Sequence, residues 1–463
     1  VSGVRSLRLR PPAAERFDHG FGRGSSRPGA RASLKLRGVE GWRGVACLVV
    51  VGFHVWQNMD TDGDGLGPGR SGSALSAILS VDVAVDLFFV LSGLLLFLPF
   101  AHAALDDRRA VPAWREFLWR RCLRLLPVYW FLVLVCWATR NFGFATAEWK
   151  DLVLHLTLLQ SFDSDTIFYT IGPAWTLSIE WIFYLSLAAL GPAFVRSIRR
   201  SAPTQVRVVR MLGALTVVAA VSMLFKINVQ VVWQIPVTDW AWRFGPMAKA
   251  DDFALGMALA VVMVVLGNRR LPALATVGLA ASGVALVYAA RVRLDADPDS
   301  LLVILRHPVA AAGWCLLLLA VMTARSDRPA RWVDNWLFVR LSIVAYTVYL
   351  VHEPVILVLV KAGLLSPDPD RYLLNLAVSV TLTLLAAWVL HRTVEEPWID
   401  LGALQSRGGG RKNLYLHARP GPSLQAVTVE PGRPRLRDEV LAGSGHQGAA
   451  ITVVASDRVG GRP

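Results

Sequence analysis

Apolar runs of about twenty residues recur along the chain. Short stretches where Arg, Asp, Gly and Pro collect separate them. At 1.5 Å per residue, each run is long enough as a helix to cross a hydrocarbon core of about 30 Å. The pattern predicts spans near 38–57, 77–101, 121–139, 174–195, 211–227, 247–266, 272–290, 301–323, 340–360 and 372–394. The apolar run 149–162 is too short to span comfortably and is predicted to be re-entrant or interfacial. Residues 1–35 and 401–463 are Gly/Pro/Arg-rich and are expected to be disordered, which leaves 36–400 as the membrane domain. No internal repeat is evident. The expected fold class is an all-α polytopic membrane protein of about ten transmembrane helices.

Composition agrees: the 463 residues are 54% hydrophobic and 18% charged, which excludes an ordinary soluble enzyme. The net charge of +14 raises nucleic acid as a partner. Its placement argues against that, because the Lys and Arg collect between apolar runs. With an even number of spans the two termini share a side. The first five inward segments then carry 26 Lys and Arg, and the outward segments carry 8. The excess of positive charge on cytoplasmic loops predicts cytoplasmic N- and C-termini in a cell (inner or plasma) membrane. The preponderance of Arg, Ala, Gly and Val suggests a GC-rich bacterial source. Four cysteines, three of them in apolar runs, indicate no disulfide framework.

Within this frame a few polar side chains stand out. Arg43 and His54 are eleven residues apart, so they share one face of the first helix, roughly 16 Å apart along its axis. A charge inside a membrane is costly and usually marks a pathway or a site. Arg121 and Arg124 open the third span on one face, with Arg120 beside them. They could grip a polyanion, or could be ordinary positive-inside anchors. Asp82 and Asp86 share a face of the second span and need a partner, a cavity or a bound proton. Glu180 stands in an uncharged run, with Thr176 and Tyr184 on its face. A functional reading of it is favoured over a protonated structural glutamate. Tyr346, Tyr349 and His352 form a stripe on the ninth span, where an aromatic belt is the bland alternative. His155, His307 and His391 look interfacial. Gly93 reads as a helix-packing position. Asp60–Gly65 resembles the start of a calcium loop, but Ser71 stands where the bidentate Glu belongs, so no metal site is assigned.

Taken together, these residues resemble the acyltransferase-3 family of integral membrane acyltransferases. The family's Arg-x10-His signature falls on Arg43 and His54. Its Asp-x-Phe-Phe-x-Leu-Ser-Gly segment is similar to Asp86–Gly93, with Asp82 as the other possible match for the aspartate. Arg-x-x-Arg falls on Arg121 and Arg124. Trp-Ser-Leu-Ser-x-Glu falls on Trp175–Glu180, with Thr176 for the usual Ser. Tyr-x-x-Tyr-Leu-x-His falls on Tyr346–His352, and the closing Glu-x-Pro on Glu395 and Pro397. Trp181 and Ile182 depart from the Glu-Gln-Phe-Tyr continuation common in the family. The likeness is to stand-alone members that act on surface glycans or macrolides.

The resemblance implies transfer of an acyl group, acetyl or short-chain, from acyl-CoA as co-substrate to a hydroxyl, with no bound cofactor. Arg43, Arg121 and Arg124 would then hold the donor's phosphates. His54 would be the base or the acylated nucleophile, with Glu180 or Asp86 orienting its ring. Tyr346, Tyr349, His352, Trp175 and Ser178 are expected at the substrate. The expected partners are acyl-CoA, a glycan or macrolide acceptor and the lipid bilayer. A proton-coupled transporter is the alternative, since buried His, Glu and Asp suit it as well.

Overall fold

The computed structural model describes residues 36–59, 82–142, 147–200, 203–292, 294 and 300–401. The expectations for 1–35, for Asp60–Gly65 and Ser71, and for the tail beyond 401 lie outside the described residues. Among the described residues there is no strand, only an isolated bridge between Leu271 and Ala324. The long helices are α1 (Val39–Gln57), α2 (Ala84–Leu105), α3 (Trp114–Arg140), α5 (Trp175–Arg199), α6 (Thr204–Ile227), α8 (Ala250–Leu266), α9 (Ala273–Val292), α10 (Arg306–Thr323), α12 (Trp336–Lys361) and α13 (Tyr372–Leu390). Shorter helices α4 (Trp149–Leu156), α7 (Trp240–Phe244) and α11 (Arg328–Val333) lie between them.

Each of the ten expected spans overlaps one of the long helices, and residues 77–81 of the second lie outside the described residues. Nine of these helices, with their short helical extensions, are long and apolar enough to cross a membrane. The tenth, α8, has 17 residues and carries Asp251 and Asp252 in its first turn. The protein is therefore an all-α, multi-pass membrane protein. Exposed apolar side chains such as Val209, Leu190 and Leu274 cover its outer surface, as a lipid-facing surface requires.

Packing follows the small residues. α2 packs most closely on α8, where Gly93 and Gly256 face each other. A Cβ on Gly256 would stand 2.2 Å from the Val90 carbonyl oxygen, and one on Gly93 2.5 Å from that of Phe253. Neither position can hold a larger residue without moving a backbone, which is the packing role expected of Gly93. α1 lies along α12 and α13. Its first turn is capped from far along the chain, because Asp334 accepts the backbone N–H groups of Gly38 (2.7 Å) and Gly41 (3.0 Å). A carboxylate suits that position, since the first N–H groups of a helix have no partner within it.

The segment 149–162 does not cross the bundle. After α4 the chain turns at Leu158, a non-glycine residue at φ 59°, into one 3-10 turn, Gln160–Phe162. Hydrogen bonds from and to neighbouring helices hold this turn inside the protein. Ser178 donates to the Leu158 carbonyl (2.6 Å), Gln160 to that of Ala174 (3.1 Å), Ser161 to that of Trp175 (3.0 Å), and Tyr129 to that of His155 (2.7 Å). Irregular backbone at membrane depth is tolerated only where it is buried in this way.

Candidate active site

Five helices surround one cavity of about 110 Å³. That is room for a few waters or one phosphoryl-sized group. α1 supplies Arg43, α2 supplies Phe88 and Ser92, α3 supplies Arg121 and Arg124, α5 supplies Thr176, Glu180 and Tyr184, and α12 supplies Ser342, Tyr346 and Tyr349. The lining thus holds three guanidiniums and one carboxylate, an excess of two positive charges. Six of the expected site residues (Arg43, Arg121, Arg124, Glu180, Tyr346 and Tyr349) meet here, together with Thr176 and Tyr184 from the face of Glu180. They come from four helices.

Hydrogen bonds fix most of these groups. Ser92 donates its hydroxyl to Glu180 Oε1. Tyr184, one turn beyond Glu180, also lines the cavity, and Arg121 lies over the Tyr184 ring at 5.8 Å. Arg43 feels the repulsion of Arg124 and Arg121 and the attraction of Glu180. The Thr176 hydroxyl donates to the Tyr349 hydroxyl (2.9 Å), which donates to the Pro173 carbonyl (3.2 Å). Tyr346 donates to the Leu125 carbonyl (2.6 Å), one residue from Arg124. Buried Glu395 accepts from Thr347 and from His391 Nδ1 (2.9 Å), which ties the end of α13 to α12. Arg120 differs from its neighbours. It is exposed and pairs with Glu116 on its own helix.

His54 lies about three turns along α1 from Arg43. Its ring is 4.9 Å, centroid to centroid, from that of His352, which in turn is 5.7 Å from the Tyr349 ring. A line of side chains therefore runs from the arginine cavity through Tyr349 and His352 to His54.

Three other expected site residues lie elsewhere. Asp86 does not face His54. It is fully buried between Lys249 Nζ (3.3 Å) and His307 Nδ1 (2.9 Å). Trp175 packs against Phe89 and Phe244, with Lys249 Nζ 6.0 Å from its ring centre. Ser178 uses its hydroxyl on Leu158. None of the three lines the cavity. They hold the scaffold around it, because a buried polar group must be partnered and these partners lie outside the cavity.

The surroundings of Asp86 went unread in the sequence. Lys249 and Asp252 are fully buried, with Asp252 at 3.8 Å from the ammonium, and Lys226 pairs with Asp251 at 2.6 Å. Asp82 pairs with Arg306, beside His307, which is here a partner of Asp86. A lone Lys just before an apolar run was the available signal, but nothing local links it to Asp86, 163 residues away. Among the described residues, no group of three or more His, Cys, Asp and Glu is arranged to hold a metal ion.

A family model described as an acyltransferase domain, that of the acyltransferase-3 family, matches residues 36–392. No curated protein and no solved structure matches the chain.

Proposed function

The chain belongs to the acyltransferase-3 family of membrane acyltransferases, and on that premise we propose that it moves a short acyl group from acyl-CoA to a hydroxyl of a sugar-containing or macrolide acceptor. The convergence of Arg43, Arg121 and Arg124 on one cavity carries this reading. Guanidiniums recognise phosphate oxygens through paired, charge-assisted hydrogen bonds. The small cavity suits a long, thin donor of which only a part enters. In this reading the arginine end faces the cytoplasm, where acyl-CoA is made, in agreement with the loop charges.

His54 is the base. An alcohol attacks a thioester poorly until its proton is removed, and an imidazole has the intrinsic pKa for that work near neutrality. The alcohol oxygen bonds to the thioester carbonyl carbon, the C–S bond breaks, and the proton taken from the alcohol ends on the departing thiolate. Glu180, held by Ser92, balances the guanidiniums and keeps them aimed at the cavity.

The test is acceptor-dependent release of CoA from acetyl-, propionyl- and longer acyl-CoAs. It uses purified protein in lipid, with panels of glycans and macrolides. His54→Ala should lower turnover roughly 10²–10⁴-fold, the usual contribution of a positioned base. Full activity in His54→Ala refutes the assignment of His54. No release by folded wild-type protein over a broad panel turns attention to proton-coupled transport, which the buried Asp86–Lys249–Asp252 cluster would suit.

A further inference from the structure

The three cavity arginines differ from others in this protein. Arg37 pairs with Asp327, Arg120 with Glu116, Arg207 with Asp107 and Arg306 with Asp82. Among the described residues, no carboxylate lies within ion-pair distance of Arg43, Arg121 or Arg124, and Arg121 lies over the rings of Phe117 and Tyr184. Glu180, in the same wall, accepts from Ser92. Guanidiniums gathered without a carboxylate partner suit an anion brought from outside the chain.

The cavity also has a direction. α1 and α12 run in step, because Cys47 donates to the Ala345 carbonyl (3.7 Å), 298 residues on, and His54 meets His352 at the same offset. The α12 lining runs from Ser342 to Leu350, roughly 12 Å of helix. At that offset it lies beside α1 between Arg43 and His54, and it stops just short of His352. The cavity is therefore a slot that leads from the guanidiniums towards the proposed base. Tyr349 stands at its far end, held by Thr176 and Pro173, with its ring 5.7 Å from that of His352.

We infer that this slot reads the donor as a phosphopantetheine thioester, with one phosphate on the three guanidiniums, the thioester at His54 and the adenosine half of CoA outside. The inference rests on the acyltransfer reading and on His54 as the base. Arg43 and His54 are roughly 16 Å apart along α1. About thirteen bonds separate the nearer phosphorus of CoA from its sulfur, and an extended chain gains ~1.2 Å per bond, so the arm spans ~16 Å. The slot's excess of two positive charges matches a terminal phosphate, which carries about −1.5 to −2 at neutral pH. Tyr349 turns aside as the arm enters. The chemistry is unchanged: the acceptor oxygen bonds to the acyl carbon, the C–S bond breaks, and the alcohol's proton ends on the thiolate, which leaves as the thiol of the arm.

Wild-type protein in lipid, given its acceptor, separates the parts of the donor with free thiol as the readout. Acyl-phosphopantetheine should keep kcat/KM within about ten-fold of acyl-CoA. Acyl-pantetheine, which lacks the phosphate, should lose at least about 100-fold, mainly through KM. A phosphorylated arm shortened by one β-alanine unit, ~5 Å, should bind but lose at least about ten-fold in kcat. Replacing Arg121 and Arg124 together with Ala should penalise acyl-phosphopantetheine and leave acyl-pantetheine unchanged. Acyl-pantetheine as good as acyl-CoA overturns the inference. Acceptance of acyl-CoA alone also overturns it, since the adenosine half would then be what is read, and so does an undiminished kcat with the shortened arm. These donor comparisons need no variant, so they decide the matter even if the arginine variant fails to fold. No thiol release from any donor, acyl-CoA included, would instead defeat the acyltransfer reading, and this inference with it.

Discussion

Ser92 on α2 donates its hydroxyl to Glu180 on α5, and this bond joins two helices at the wall of the arginine cavity. Hydrogen bonds to charged groups contribute about 1.5–3 kcal/mol. Glu180→Ala should therefore destabilise the protein by about 2 kcal/mol. Glu180→Gln should cost less, because its carbonyl oxygen still accepts from Ser92. A double-mutant cycle of Ser92→Ala with Glu180→Ala, followed by thermal unfolding in detergent, should show coupling of at least about 1 kcal/mol. Additive effects would mean that the two side chains do not act together.

Arg121 and Arg124 line the cavity, whereas Arg120 is exposed and bound to Glu116. Replacing Arg121 and Arg124 together with Ala should raise KM for acyl-CoA roughly 10–100-fold, with a smaller change in kcat, since charge-assisted contacts to phosphate are lost. Arg120→Ala should leave both constants unchanged. Equal effects from all three positions would point to general surface charge and not to a phosphate grip.

Lys249 sits between Asp86 and Asp252, and none of the three is exposed to solvent. Lys249→Met leaves buried carboxylates without their cation and should cost about 3–5 kcal/mol. Adding Asp86→Asn should recover part of that loss, because the uncompensated charge goes with it. Unfolding in detergent measures both steps. A double variant no more stable than Lys249→Met would show that the pair is not what holds α2 against α8 and α10.

Gly256 packs against the Val90 carbonyl so closely that even a methyl group would collide with it. Gly256→Ala should destabilise by about 1–3 kcal/mol, the usual cost of overpacking. Gly278, with open space around it, should accept Ala without loss. Comparison of their unfolding temperatures checks both. Equal tolerance would show that α2 and α8 can separate at little cost.

Much of this was legible in the chain itself. Run length determined the helices, because a lipid-crossing helix must be apolar for about twenty residues. Helix periodicity placed Thr176, Glu180 and Tyr184 on one face, and the structure turns that face to the cavity. The spacing of Arg121 and Arg124 likewise put both guanidiniums on one face, and both reach the cavity. The family resemblance carried by these residues agrees with the match over 36–392. Periodicity is a property of one helix, however, and does not say which helix lies opposite. Tertiary packing alone decided that Asp86 meets Lys249 and His307 instead of His54. It decided that Ser178 serves the Leu158 turn, and that His352 comes to lie beside His54 across 298 residues of chain. The physical reason is that contacts between helices depend on where small residues let backbones approach, as Gly93 and Gly256 do for α2 and α8. A single helix, read by itself, contains only half of each such contact.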